Sequence, residues 1–276
     1  MKSHTMPGRA ETAHFNTAEL RRAYLLDELF APGELRLVYT DLDRAIVGGA
    51  RPTDKALELS AGEQLRADFF CQRRELGVIN LGSAGSVKVD GTDYALAKRD
   101  CLYIGRGSQK ISFTSASAAD PAAFYLISYP AHAAFPTQKA TPAQANIIQL
   151  GSKQDANERK LHQYIHENGI KSCQLVMGFT ELAPGSVWNT MPSHTHQRRS
   201  EVYCYYDIPA GHAVVHMMGS PQETRPLWMG NLQVALSPSW SIHSGAGTNN
   251  YGFVWAMGGE NQRFDDMDKF PITDLR

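Results

Sequence analysis

The chain has 276 residues, 42% of them hydrophobic, enough for a sizeable core and intermediate between one large domain and two small ones. Its 27 Lys and Arg against 28 Asp and Glu leave a formal charge of -1, and no basic run or basic stripe interleaved with aromatics occurs, so nucleic acid is not an expected partner. No stretch approaches the roughly 18 uninterrupted apolar residues of a spanning helix, and the polar, mixed-charge start lacks the apolar run of a signal peptide, so a cytoplasmic protein with no membrane partner is expected.

Asn16 offers an N-cap before ELRRAYLLDELF, in which Leu20, Tyr24, Leu25 and Leu29 recur at helical spacing, so one short helix is predicted within an N-terminal arm, 1–30. After Pro32-Gly33 the period changes to two. The runs ADFFC, LGVINL, SVKV, YALA, CLYI, KISFT and FYLISY, separated by turn chemistry such as Asp90-Gly91, predict a β-barrel or sandwich over 31–135. A Pro-containing stretch with no sustained pattern follows, and 136–160 is read as a linker. A second strand series over 161–276 begins near Cys173 and continues as WNTM, HTH, EVYCYY, HAVVHMM, RPLWMG, QVALSP and YGFVWAMG.

The fold class expected is therefore all-β, with the same architecture used twice. A faint internal repeat supports this: Gln72-Arg73-Arg74-Glu75-Leu76-Gly77-Val78 resembles Gln197-Arg198-Arg199-Ser200-Glu201-Val202-Tyr203, and Cys101-Leu102-Tyr103 lines up with Ala235-Leu236-Ser237. Cys71, Cys101, Cys173 and Cys204 form no Cys-x-x-Cys pair and read as reduced, buried thiols.

The chemistry concentrates in MPSHTHQRRSE. His194 and His196 are two apart, so on a strand both imidazoles leave one face. Glu201 has the wrong parity for that strand, and a turn at 197–200 followed by an antiparallel strand returns its carboxylate to the same interior. His243, after Pro238-Ser-Trp-Ser-Ile, approaches a later strand from across the barrel. Three imidazoles and a carboxylate suit Zn, Fe, Mn, Ni or Co, and the absence of thiolates favours a chemically open site. Taken alone, a His-x-His pair is as readily surface or satisfied core sequence; Glu201 and His243 at compatible spacing shift the balance to a metal site.

His-x-His-x4-Glu followed by Pro-x-x-x-x-His resembles the two motifs of the cupin superfamily, whose barrels hold metal through three His and one Glu. The longer strings NTMPSHTHQRRSEVYCYYDI, HMMGSPQETR, LSPSWSIHSGAGT and GENQRFDDMD resemble one family in particular, the 4-deoxy-L-threo-5-hexosulose-uronate ketol-isomerases of pectin breakdown. DLDRAIVGGARP, FFCQRRELGVINLGSAGSVKVDG and RDCLYIGRG carry the resemblance through the first half. It implies two cupin-like (double-stranded β-helix, jelly-roll) domains and one Zn2+ per subunit on His194, His196, Glu201 and His243. It also implies a homohexamer and conversion of 5-dehydro-4-deoxy-D-glucuronate to 3-deoxy-D-glycero-2,5-hexodiulosonate. Trp240 departs from the Gly of general cupins, and the first fifteen or so residues depart from the family.

An aldose-ketose shift needs a proton acceptor and a proton donor near the substrate. Glu223, Glu260, Asp265, Tyr203 and Tyr205 are candidates, and Arg198, Arg199 and Arg225 are the cations nearest in sequence to the site that could grip the substrate carboxylate. His212 and His216 read as ordinary strand histidines, and Asp265-Asp266-Met267-Asp268 as a solvated tail or a cap over the barrel mouth. In the first half, Glu75 and Gln109 are offered as counterparts of Glu201 and His243, but no His-x-His accompanies them, so a barrel without metal is expected. The rival readings are an iron-dependent dioxygenase, a non-catalytic sugar-binding bicupin, and an isomerase of an unmodified uronate.

Overall fold

In the computed structural model, which describes residues 1–276, the chain divides into two compact units, each discontinuous in sequence. The first comprises Met1–Thr5, Glu28–Asn146 and Tyr164–Met177; the second comprises Met6–Asp27, Ile147–Gln163 and Gly178–Arg276. No helix is long and apolar enough to cross a membrane.

One seven-stranded sheet runs in the order Lys2–His4, Leu35–Thr40, Ile46–Ala50, Phe124–Pro130, Arg74–Asn80, Cys101–Ile104 and Gln138–Ala140. Its four-stranded companion runs Leu57–Glu58, Ile111–Ser115, Gly85–Val89, Thr92–Leu96. The same arrangement recurs. A seven-stranded sheet orders Asn146–Leu150, Arg159–Ile165, Val176–Leu182, Gly252–Gly259, Arg199–Tyr206, Val234–Ser237 and Leu25–Leu26, and a four-stranded one orders Trp188–Asn189, Ser244–Gly247, Val214–Ser220 and Glu223–Met229. The strands Arg74–Asn80 and Arg199–Tyr206, which carry the sequence repeat, hold the same place in their sheets.

The repeat also explains why the two interiors differ. Leu76 pairs with Ile104 at the end of its neighbouring strand, and Glu201 pairs with Ser237 at the end of its own, so Leu76 occupies the place of Glu201. Leu76 is buried among Ile46, Phe70, Val78, Leu102, Phe113 and Phe124, an apolar filling for the first unit. Glu75, one residue away, has the opposite parity. Its carboxylate is fully buried and accepts hydrogen bonds from the backbone N–H of Cys173 (2.7 Å), Gln174 (2.8 Å) and Leu175 (2.9 Å) and from the Tyr103 hydroxyl (2.9 Å). The matching of Glu75 to Glu201 is thus corrected by one position: Glu75 fastens a segment about a hundred residues away.

The predicted helix is shorter than its apolar pattern. It spans Thr17–Tyr24, with Asn16 and Glu19 forming a reciprocal capping box, and it stops because Leu25 and Leu26 pair as an edge strand with Ala235 and Val234. The stretch 136–160 carries the strands Gln138–Ala140 and Asn146–Leu150 with a 3-10 turn at Pro142–Gln144 between them. All four cysteines are free, and burial pushes the Cys71 thiol up to about 12.

Replacing Glu75 leaves three backbone donors without their acceptor, each costing about 1–3 kcal/mol when buried. Glu75→Ala is expected to lower unfolding free energy by roughly 3 kcal/mol or more, read as a shifted midpoint in denaturant titration.

Candidate metal centre

The strand Arg199–Tyr206 lies between Val234–Ser237 and Gly252–Gly259, and this central position carries Glu201 into the interior of the second unit. His243 arrives one residue ahead of the strand Ser244–Gly247, after a turn in which the Ser241 N–H donates to the Pro238 carbonyl. His194 sits on the two-residue strand His194–Thr195 and His196 in the turn that follows. All four side chains are buried. The expected hairpin takes another form here: the turn closes between His196 and Arg199, but His194–Thr195 pairs with Asp268–Lys269, not with the strand of Glu201.

Four donor atoms converge. The Nε2 atoms of His194 and His196 are 3.2 Å apart and those of His194 and His243 3.0 Å, while Glu201 Oε2 lies 3.0 Å from His196 Nε2 and 2.8 Å from His243 Nε2. Neutral imidazoles do not make a simple hydrogen-bonded cluster here. His196 Nδ1 lies 2.5 Å from the Asp266 carbonyl, which can only accept, so in a neutral ring Nδ1 carries the proton and Nε2 presents a lone pair to a carboxylate oxygen. Burial, followed by the neighbouring His243 and His196, pushes His194 down to about 2, so it stays neutral. Lone pairs and an anion packed this closely repel one another unless a cation lies among them. Separations near 3 Å are those of ligands each about 2.1 Å from one ion, so the donor set fits a divalent metal.

Two of the other ring nitrogens are held from outside. Besides the Asp266 carbonyl on His196, the Ser237 hydroxyl lies 3.3 Å from His243 Nδ1. Such contacts fix ring orientation and tautomer. The segment carrying Asp266 is itself strapped down. Buried Arg199 donates to the carbonyls of Arg263, Phe264 and Asp266, Arg198 grips the Asp266 carboxylate with two nitrogens, and the Phe270 N–H donates to the Ser193 carbonyl. The acidic run near the C-terminus is therefore a strap across the barrel mouth.

Beneath the strap is a cavity of about 450 Å³ that reaches His194, His196 and Glu201. Its walls include Tyr203, Phe253, Trp255 and Met257 from the barrel, Arg159, Leu161 and Thr180 from neighbouring strands, and Phe264, Asp265, Met267 and Lys269 from the strap. Of the five acid-base candidates, Tyr203 and Asp265 line it and Glu223, Glu260 and Tyr205 do not. Glu223 is an exposed partner of Arg225, Glu260 is exposed, and Tyr205 hydrogen-bonds His216 Nδ1 at 2.8 Å. None of Arg198, Arg199 and Arg225 reaches the cavity: the first two hold the strap, and Arg225 donates to the carbonyls of Ala13 and Phe15. The cation on the barrel wall is Arg159, which lies 35 residues before His194 and which sequence proximity could not single out. His212 bonds Thr248, and neither it nor buried His216, pushed down to about 3 by burial and then by His243, joins the quartet.

This fold and site define a cupin-type barrel protein with a buried three-histidine, one-glutamate group able to hold a metal ion. The chain belongs to the KduI/IolB family, whose pattern matches residues 27–271. It is 53% identical to the 4-deoxy-L-threo-5-hexosulose-uronate ketol-isomerase of Kineococcus radiotolerans, covering 95% of each chain, and 49% identical to that of Lachnoclostridium phytofermentans, covering 100% of each. Among solved structures it resembles an IolB-like protein of Salmonella typhimurium (TM-score 0.71, 12% identity, covering 90% of this chain and 96% of that one). It also resembles Bacillus subtilis oxalate decarboxylase, a protein with Mn(II) centres (TM-score 0.54, 10% identity, covering 80% and 70%). At such identities these likenesses speak for the fold.

The strap gives a pH prediction. The Arg198 guanidinium, ahead of the opposing effect of burial, holds the Asp266 carboxyl well below the usual carboxylate range. A depressed folded value means that the stabilisation is present above the unfolded value and is lost as pH falls through the folded one. Hydrogen exchange over 263–270 is expected to accelerate below the ordinary carboxylate range, and Asp266→Asn to produce the same acceleration at neutral pH; equal protection in both would refute the clamp.

Proposed function

We propose that this chain is a metal-dependent aldose-ketose isomerase that converts 5-dehydro-4-deoxy-D-glucuronate to 3-deoxy-D-glycero-2,5-hexodiulosonate in pectin and uronate breakdown. The observation that carries the reading is the convergent quartet opening into a cavity that also bears Tyr203 and Asp265. Near-full-length similarity to named ketol-isomerases supplies the substrate class.

We take the resident ion as zinc, held by His194, His196, Glu201 and His243; when bound it supplies Lewis acidity toward the oxygens of a hydroxyaldehyde. The remaining chemistry is a proton transfer between two adjacent carbons of the substrate, with a compensating change at their oxygens. Tyr203 is suited to hold a proton there. Burial, then the Glu201 charge, keeps its phenol protonated, and it exchanges a 3.0 Å hydrogen bond with the Thr190 hydroxyl. Asp265 is the acceptor candidate by position, since it lines the cavity; its hydrogen bond from Arg263, which lowers its carboxyl, is one that a bound substrate would have to displace. The strap limits the access of water to whatever occupies the cavity.

A coupled isomerase assay with the hexosulose uronate tests the reading. Chelator treatment is expected to lower turnover at least about a hundredfold, with zinc restoring wild type but not His243→Ala. Tyr203→Phe and Asp265→Asn are each expected to lower kcat about a hundredfold while retaining wild-type metal content. No turnover by zinc-replete protein sinks the isomerase reading; oxygen consumption with bound iron would then favour the dioxygenase, and binding without turnover the sugar-binding protein.

The chain also works in this reading as a cytoplasmic homohexamer. Trp228, Val215, Ala246 and Trp188 lie in one register row across the second four-stranded sheet, facing outward, with both tryptophans exposed. Such an apolar row favours self-association. Trp228→Glu is expected to shift sedimentation toward smaller species; an unchanged profile places the contact elsewhere.

A further inference from the structure

We propose that Arg159, Thr180 and Trp255 form the subsite that binds the substrate's carboxylate. This rests on the uronate reading and specifies which wall of the cavity recognises the acid. The three residues come from successive strands of one sheet, Arg159–Ile165, Val176–Leu182 and Gly252–Gly259, and all three line the cavity.

Each brings unused hydrogen-bonding capacity. The Arg159 guanidinium donates from Nη1 to the Asn157 carbonyl at 2.8 Å and has no carboxylate partner. The charged or ionisable groups that it feels are the phenols of Tyr203 and Tyr251, and burial pushes its own charged state down. The Thr180 hydroxyl and the Trp255 indole N–H are buried, at 1% and 2% residue exposure, and neither has a hydrogen-bond partner. A partly desolvated cation without an anion and two unsatisfied buried polar atoms, all on the lining of one cavity, are costly unless something completes them. A carboxylate does so: it accepts the guanidinium fork through two oxygens and has lone pairs left for a hydroxyl and an indole. Gly178 contributes space, since a Cβ there would stand 2.4 Å from the Trp255 ring and 2.1 Å from the His162 carbonyl.

The wall also fits the substrate's polarity. In a hexosulose uronate the aldehyde and the carboxylate are opposite ends of a six-carbon chain. Tyr203 links the two regions: its ring meets His243 with centroids 5.4 Å apart, and its phenol acts electrostatically on Arg159. With the acid on Arg159, the aldehyde end is directed toward the quartet. Lys269, the other cavity cation, is exposed on the strap, where water solvates its charge.

The test compares the hexosulose uronate with its neutral carboxamide in wild type, Arg159→Gln, Arg159→Lys, Thr180→Val and Trp255→Phe. Wild type is expected to prefer the acid by about a hundredfold in kcat/KM. Arg159→Gln should reduce that preference to roughly threefold, mainly through KM, and Arg159→Lys should recover part of it, because a point charge replaces a fork. Thr180→Val and Trp255→Phe should each reduce it about five- to tenfold. Metal content and thermal unfolding, measured on every variant, separate a lost subsite from a lost fold, and the conservative variants carry the test if Arg159→Gln misfolds. Undiminished preference in folded Arg159→Gln, or its transfer to Lys269→Gln, overturns the proposal. Calorimetric binding of the C1 alcohol of the substrate, which cannot isomerise, keeps the two readings apart. Tight binding lost in Arg159→Gln supports the subsite even if wild type shows no turnover, and binding indifferent to Arg159 removes the subsite even if wild type turns over.

Discussion

Four buried electron-pair donors within about 3 Å of their neighbours are the constraint around which the second unit is organised. Such a group is unstable on its own, because desolvated lone pairs and a carboxylate repel and the low local dielectric amplifies the repulsion. Holding it in place therefore takes more than the four residues. The central strand positions Glu201, Ser237 and the Asp266 carbonyl orient imidazoles, and Arg199 spends a fully buried guanidinium on the backbone that carries Asp266. In the first unit the corresponding place holds Leu76, and hydrophobic packing does the work that electrostatics does in the second.

The strap shows how one element serves two ends. Its backbone orients a member of the quartet, while its side chains Phe264, Asp265, Met267 and Lys269 wall the cavity. Geometry at the quartet and enclosure of a ligand are consequently coupled through a few residues, and the Arg198–Asp266 ion pair on the outer side bears on both.

Much of this was legible in the sequence because it depends on period and spacing. Two-residue alternation gave the strand series, the His-x-His pair with Glu201 and His243 marked residues that the structure brings together, and the acidic run near the end read as a solvated tail or a cap, of which the structure shows the second. What could not be read was set by tertiary placement. Arg198 and Arg199 are adjacent to the site in sequence yet face the strap, whereas Arg159 reaches the cavity from a strand whose local pattern is unexceptional. Glu75 reads as the counterpart of Glu201 by residue type, but a one-residue offset on a strand reverses the face, which register reveals and composition does not. The helix ended early because an edge strand recruited Leu25 and Leu26, a choice made by a partner more than two hundred residues away.

The interleaving of the two units has a consequence for how the chain is made. Residues 6–27 are synthesised before 28–146 but belong to the second unit, and 164–177 complete the first unit only after much of its sheet structure has been translated. Glu75 must wait about a hundred residues for the amides that satisfy it. Vectorial synthesis thus cannot finish one barrel before starting the next. Early segments remain without their final partners until late ones emerge, a non-local order that slows folding and lengthens the exposure of unpaired strand edges. A cut between the visible strand series would not yield two intact halves, since each would lack a piece that the other carries.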